Sequence, residues 1–113
     1  MDTLRTHHHG MQPERWRTLS LDEQLGNVGS EIGRARRWSA ERPESVYEAI
    51  SCALELLDLT IRDPRWHNHR LKELTRVREC IVDAYFGGAE YGTTWEDLDR
   101  YFFSYALAAR KDR

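Results

Sequence analysis

Leu21, Leu25, Val28, Ile32 and Ala35 recur at intervals of four, three, four and three residues. An α-helix returns side chains to one face at that spacing, whereas a strand would require strict alternation. Three further segments carry the same period. The first holds Val46, Ile50, Ala53, Leu54, Leu57 and Ile61. The second holds Trp66, Leu71, Leu74, Val77, Ile81, Val82, Tyr85 and Phe86. The third holds Leu98, Tyr101, Phe102, Tyr105, Ala106 and Ala109. No segment alternates over a strand's length, and there is no internal repeat.

The punctuation between these stripes agrees with four helices. Ser20-Leu21-Asp22-Glu23 forms a capping box, with serine at the helix start and glutamate reaching back. Pro43 suits the first turn of the second helix, and Asp63-Pro64 closes it while capping the third. Gly87-Gly88 stops the third helix, and Thr94 opens the fourth, with Glu96 and Asp97 at the positive end of its dipole. Gly26, Gly29 and Gly33 lie beside the first stripe, where a missing side chain lets another backbone or a ring approach. Short links make neighbours antiparallel, so the expected fold is all-α: a four-helix up-and-down antiparallel bundle over residues 15–113. Residues 1–14 are expected to form a disordered arm. Its His7-His8-His9 tract is a poor metal site without further ligands, and reads equally as an appended tag or an extension upstream of Met11.

Composition sets outer limits. A chain of 113 residues supports one core, and a mean hydropathy of −0.76 leaves no room for a membrane span. Net charge is −2, which excludes binding to nucleic acid by bulk electrostatics. Of 17 basic residues only Lys72 and Lys111 are lysine; base composition of the gene accounts for this more simply than phosphate recognition. Cys52 and Cys80 fall among apolar helix positions and read as free thiols in a reducing compartment, a single bridge between two helices being the alternative. No secretory signal pattern opens the chain, so a cytoplasmic protein is expected.

Few residues point to chemistry. Arg62 and His67, five apart in Arg62-Asp63-Pro64-Arg65-Trp66-His67, resemble the signature of HEPN domains. Those are small helical folds, many of them dimeric metal-independent ribonucleases. The resemblance implies His67 as general base and Arg62 as stabiliser of phosphate charge. The bland reading of the same residues is a cap and tight turn with both side chains solvated. His67-Asn68-His69 matches HNH nucleases in letters only, because that family needs strands around its metal. Glu31, Glu55, Asp58, Arg76, Glu79 and Asp83 are candidates to face inward, but a di-metal bundle also needs Glu-x-x-His, which the chain lacks. They are expected to form register-fixing salt bridges. Neither a metal nor any other cofactor is expected, and the serines and cysteines lack the surroundings of a nucleophile.

A basic stripe on the third helix, Arg65, His69, Lys72 and Arg76 at spacings of four, three and four, suits an acidic partner or a local RNA contact. Trp66, Tyr91 and Trp95 near helix ends suit interface anchors. The strings Glu23–Glu31, Leu54–Thr60 and Leu71–Glu79 resemble a family of uncharacterised prokaryotic proteins of similar length, over about Trp16 to Arg110. That resemblance carries over no catalytic residue. By shape, the chain is also similar to the helical-bundle accessory subunits of diversity-generating reverse transcriptases, which bind a polymerase and RNA as oligomers. The expected function is a non-enzymatic interaction or accessory protein. It would self-associate and bind a larger protein or ribonucleoprotein; the alternative is the HEPN-like ribonuclease or toxin.

Overall fold

The Ser20 hydroxyl accepts the Glu23 N–H at 3.1 Å while the Glu23 carboxylate accepts the Ser20 N–H at 2.8 Å. With two orphan donors satisfied, α2 (Leu21–Trp38) starts where the capping box places it. The computed structural model describes residues 11–111; the His7–His9 tract and most of the expected arm lie outside that range. Among the described residues there are five α-helices, where four were expected, and no strand. Before α2 comes α1 (Pro13–Trp16), and after it α3 (Pro43–Ile61), α4 (His69–Tyr85) and α5 (Trp95–Lys111). The single turn of α1 straddles the expected boundary between arm and domain, and its Trp16 is fully buried.

α2 packs most extensively against α5 and α3, α4 lies mainly on α3, and α4 and α5 barely touch. Leu25, Val28 and Ile32 of α2, Ala53, Leu56 and Leu57 of α3, Leu74 and Ile81 of α4, and Phe102 of α5 fill the core. The radius of gyration is 13.6 Å, near the ~13 Å of a compact domain of about 100 residues. The glycines of α2 serve close approach, as expected, at two of three positions. A Cβ on Gly26 would stand 3.2 Å from the Ala106 Cα, and one on Gly29 would stand 2.6 Å from the Phe102 Cβ. Gly33 has no neighbour nearer than 3.8 Å, so no close approach needs it.

The wider gap between α4 and α5 is spanned by side chains. Tyr101 and Tyr105 both donate their hydroxyls to the Glu73 carboxylate, which also accepts from Arg70 at 3.1 Å. Ion pairs join other helices, Arg78 to Asp58 at 2.7 Å and Arg36 to Asp99 at 2.9 Å, and of these four residues only Asp58 was among the expected bridging candidates. Both pairs are half-exposed and contribute little to stability.

Two local expectations need correction. The third helix does not begin at Pro64. Asp63 caps only a 3-10 turn, Pro64–Trp66, and α4 starts afresh with the Asn68 side chain accepting the Arg70 N–H at 2.8 Å. A continuous helix would aim Trp66 elsewhere; here its indole N–H reaches the buried Gln24 carbonyl oxygen at 2.9 Å. Tyr85 and Phe86, assigned to the buried stripe, are exposed. Adjacent helical residues point about 100° apart, and Ala84 and Ile81 take the inward positions.

Candidate functional site

The end of α4 shows how a surface cleft is built from local signals. Gly87, at φ +97°, takes the left-handed conformation that ends a helix at low cost. The N–H of Gly87 then bonds the Ala84 carbonyl at 3.1 Å, and that of Gly88 bonds the Asp83 carbonyl at 2.8 Å, which is a Schellman motif. This turn directs the following loop back over α4. Asp83 holds it there: its buried carboxylate accepts the N–H groups of Glu90 at 2.8 Å, Tyr91 at 3.2 Å and Thr93 at 3.2 Å. Burial alone would raise the Asp83 pKa, but these N–H donors outweigh it and the carboxyl sits below its usual range. Asp83 was a candidate for an inward salt bridge. Its observed partners are backbone amides, which a residue-type pattern does not reveal.

The loop and helix enclose a cleft of about 520 Å³ whose lining includes Glu79, Val82, Phe86, Glu90 and Tyr91. Phe86 is 73% exposed and Tyr91 47%. Beside them the Tyr85 ring meets Phe86 edge-on, 5.1 Å between centroids, and lies 6.5 Å from that of Tyr47, which is 57% exposed. Four aromatic side chains thus face solvent around one end of the α3–α4 pair. Sequence reasoning reached Tyr91 and missed the other three. The adjacency of Tyr85 and Phe86 was the available signal, since both cannot face the same core.

The other expected site residues do not gather into one surface. Arg65 lies in the 3-10 turn rather than on the helix, so the basic stripe is broken at its first member. Its guanidinium is held by the buried Asp63 carboxylate, at 2.7 Å from Nη2, and by the Leu19 carbonyl, also at 2.7 Å. It also lies over the Trp66 ring at 4.6 Å. Trp66 is half-buried and bonded to Gln24, and Trp95 packs against the core. Arg76 lies over the Tyr91 ring at 4.4 Å, which joins one stripe residue to the cleft. His69 and Lys72 are exposed on α4.

Arg62 and His67 are both exposed, on separate segments: Arg62 ends α3 and His67 follows the 3-10 turn. The His67 Nε2 lies 2.8 Å from the Ile61 carbonyl, an acceptor only, so Nε2 carries the proton and caps α3. A base at His67 would have to be Nδ1. The Arg17 guanidinium lies 3.5 Å from the Arg62 carbonyl.

Behind this junction is a polar knot inside the core. Gln24 donates to the Trp16 carbonyl at 2.9 Å and to Asp63 at 3.1 Å, and the Trp16 indole donates to Thr60 at 3.0 Å. It ties α1, α2 and the α3–α4 junction together. Among the described residues no three His, Cys, Asp or Glu side chains are grouped to hold a metal ion. No helix among them is long and apolar enough to cross a membrane. Cys52 and Cys80 are free thiols; burial first, and then the Glu31 charge, push the Cys52 thiol up to about 12, which keeps it unreactive at neutral pH.

Compared with known proteins, the chain matches no family model, no curated protein and no solved structure. What the site does is therefore read from its own geometry.

The buried Asp63 and Asp83 and the partly buried Glu73 set the pH response of the fold. Asp63 and Glu73 resemble Asp83: burial would raise each pKa, but hydrogen bonds from Arg65 and Gln24, and from Tyr101, Tyr105 and Arg70, hold both below their usual values. A lowered folded pKa contributes stability above the unfolded value, about 4 for these groups, that is lost as pH falls through the folded one. The raised Cys52 value acts oppositely, its contribution fading once pH passes the ordinary thiol value near 9. Thermal melts should give a plateau from about pH 5 to 8 and a steep fall below about pH 4. A melting temperature that rises on acidification from pH 5 to 3 would contradict these assignments.

Proposed function

We propose that this chain is a non-catalytic helical interaction protein that docks a larger protein through the aromatic end of the α3–α4 pair. The observation that carries the reading is the joint exposure of Tyr47, Tyr85 and Phe86, whose rings neighbour one another in turn, and of Tyr91, which lines a cleft together with Phe86. Large exposed aromatic groups are costly to leave in water and are the side chains that dominate binding energy when covered. The four long helices act in this reading as an up-and-down bundle presenting that end, in a reducing, cytoplasmic setting that suits two free thiols. Phe103 and Leu107, exposed one turn apart on α5, form a second and separate apolar pair that suits self-association.

Affinity purification from the source cell tests the reading. The wild-type chain should recover one protein in stoichiometric amount, and a Tyr85→Ser, Phe86→Ser variant with an unchanged melting temperature should lose it. Recovery of the chain alone, or equal recovery by both forms, overturns the docking site. Nucleic acid as the sole companion, cleaved by the wild type and not by His67→Ala, would instead establish the ribonuclease. In sedimentation, the wild type should run above its 13.4 kDa monomer mass, and Phe103→Asp with Leu107→Asp should run as a monomer; a wild-type monomer at about 100 μM removes self-association from the proposal.

A further inference from the structure

The cleft at the end of α4 is lined by more than aromatic surface, and its charges specify what it accepts. Arg78 is neutralised within the fold, its guanidinium bound to the Asp58 carboxylate at 2.7 and 3.3 Å. The Asp83 carboxylate is spent on the N–H groups of the loop. Arg76 lies outside the lining, over the Tyr91 ring. Two acids remain, Glu79 and Glu90, both exposed. Glu79 accepts the Tyr91 hydroxyl at 3.1 Å, a bond that orients the carboxylate without cancelling its charge. The apolar floor comes from Val82 and Phe86.

Building on the docking proposal, we infer that the cleft accepts a short basic-apolar peptide segment, an arginine or lysine flanked by a large apolar side chain. The cation lies between Glu79 and Glu90, and the apolar group covers Phe86 and Val82. A carboxylate pair favours a cation through charge. The same pair repels an acidic segment, which gives the site its selectivity. A volume of about 520 Å³ accommodates two or three side chains. The acidic partner expected from the basic stripe is thus replaced at this site by a basic one.

The test is an amide-shift titration of the full ¹⁵N-labelled chain by NMR. One probe is a capped tripeptide of tryptophan, arginine and leucine, and the other has glutamate in place of arginine. The arginine peptide should shift the amides from Phe86 to Tyr91 and bind roughly tenfold more tightly than the glutamate peptide. In the Glu79→Gln, Glu90→Gln double variant that preference should fall to about twofold or less, because glutamine keeps an acceptor for Tyr91 but removes both charges. Equal binding of the two peptides to the wild type overturns the charge inference while the copurification result with the Tyr85→Ser, Phe86→Ser variant stands independently. If neither peptide moves these amides, or if the preference survives in the double variant, the inference is wrong.

Discussion

Replacing Asp63 by alanine should lower stability by about 3 kcal/mol, the largest effect expected of any single polar substitution in this chain. The carboxylate is fully buried and serves three parts of the fold at once. It accepts from Gln24 on α2, it caps the 3-10 turn through the Arg65 N–H at 3.1 Å, and it holds the Arg65 guanidinium. Alanine leaves the Gln24 amide with one bond fewer in a dry site and releases the junction that aims Trp66 at Gln24. The Arg65 side chain, 42% exposed, turns to water, which keeps the loss from being larger. For a domain of this size about 3 kcal/mol corresponds to a fall of roughly 15 °C in melting temperature. Asp58→Ala is the control: its pair with Arg78 is half-exposed on both sides and should cost under about 1 kcal/mol. Urea denaturation of the two variants distinguishes them, and an Asp63→Ala protein within about 0.5 kcal/mol of wild type would show the knot to be dispensable.

The second large effect is a contrast between identical substitutions four residues apart on one helix. Gly29→Ala places a methyl carbon 2.6 Å from the Phe102 Cβ, an atom fixed to the α5 backbone beneath a fully buried ring. The neighbour has no rotamer by which to give way, so α2 and α5 must separate. Overpacking of this kind costs about 1 to 3 kcal/mol even after alanine's better helix propensity is credited. Gly33→Ala meets only the Asp99 carboxylate at 3.8 Å and the Arg37 guanidinium at 4.0 Å, both ordinary contacts. It should stabilise the protein by about 0.5 to 1 kcal/mol. Chemical denaturation of both variants should therefore give shifts of opposite sign. Two destabilised proteins would mean that α2 and α5 are in closer contact near Gly33 than the structure describes.

The helices and their ends were legible because their causes are local. The capping box at Ser20, Pro43 at the start of α3, Thr94 at the start of α5 and the glycines after α4 each act within a few residues of themselves. The failure at Pro64 came from a long-range demand. Asp63 and Trp66 are both drawn to Gln24, some forty residues earlier in the chain, and the helix restarts at Asn68 to allow it.

The candidate site was legible only in fragments. Tyr91 and Arg76 were reached by residue type, and they do meet. Arg65, placed with them, belongs to an internal ion pair. Glu79, a candidate to face inward, is exposed in the cleft instead, and Glu90 carries no signal along the chain.

Period, caps and composition along the chain dictate an all-helical fold over the described residues and identify which faces of most of its helices are apolar. They act through neighbours three and four residues apart, which the covalent chain brings together by itself. The tertiary structure decided which polar groups enter the core and which aromatic groups stay out. Gln24 and Asp63 are buried because they find each other across the fold. Phe86 is left in water because the inward directions at the end of α4 are already taken by Ile81 and Ala84. Burial is a property of two surfaces meeting, and a single stretch of sequence contains only one of them.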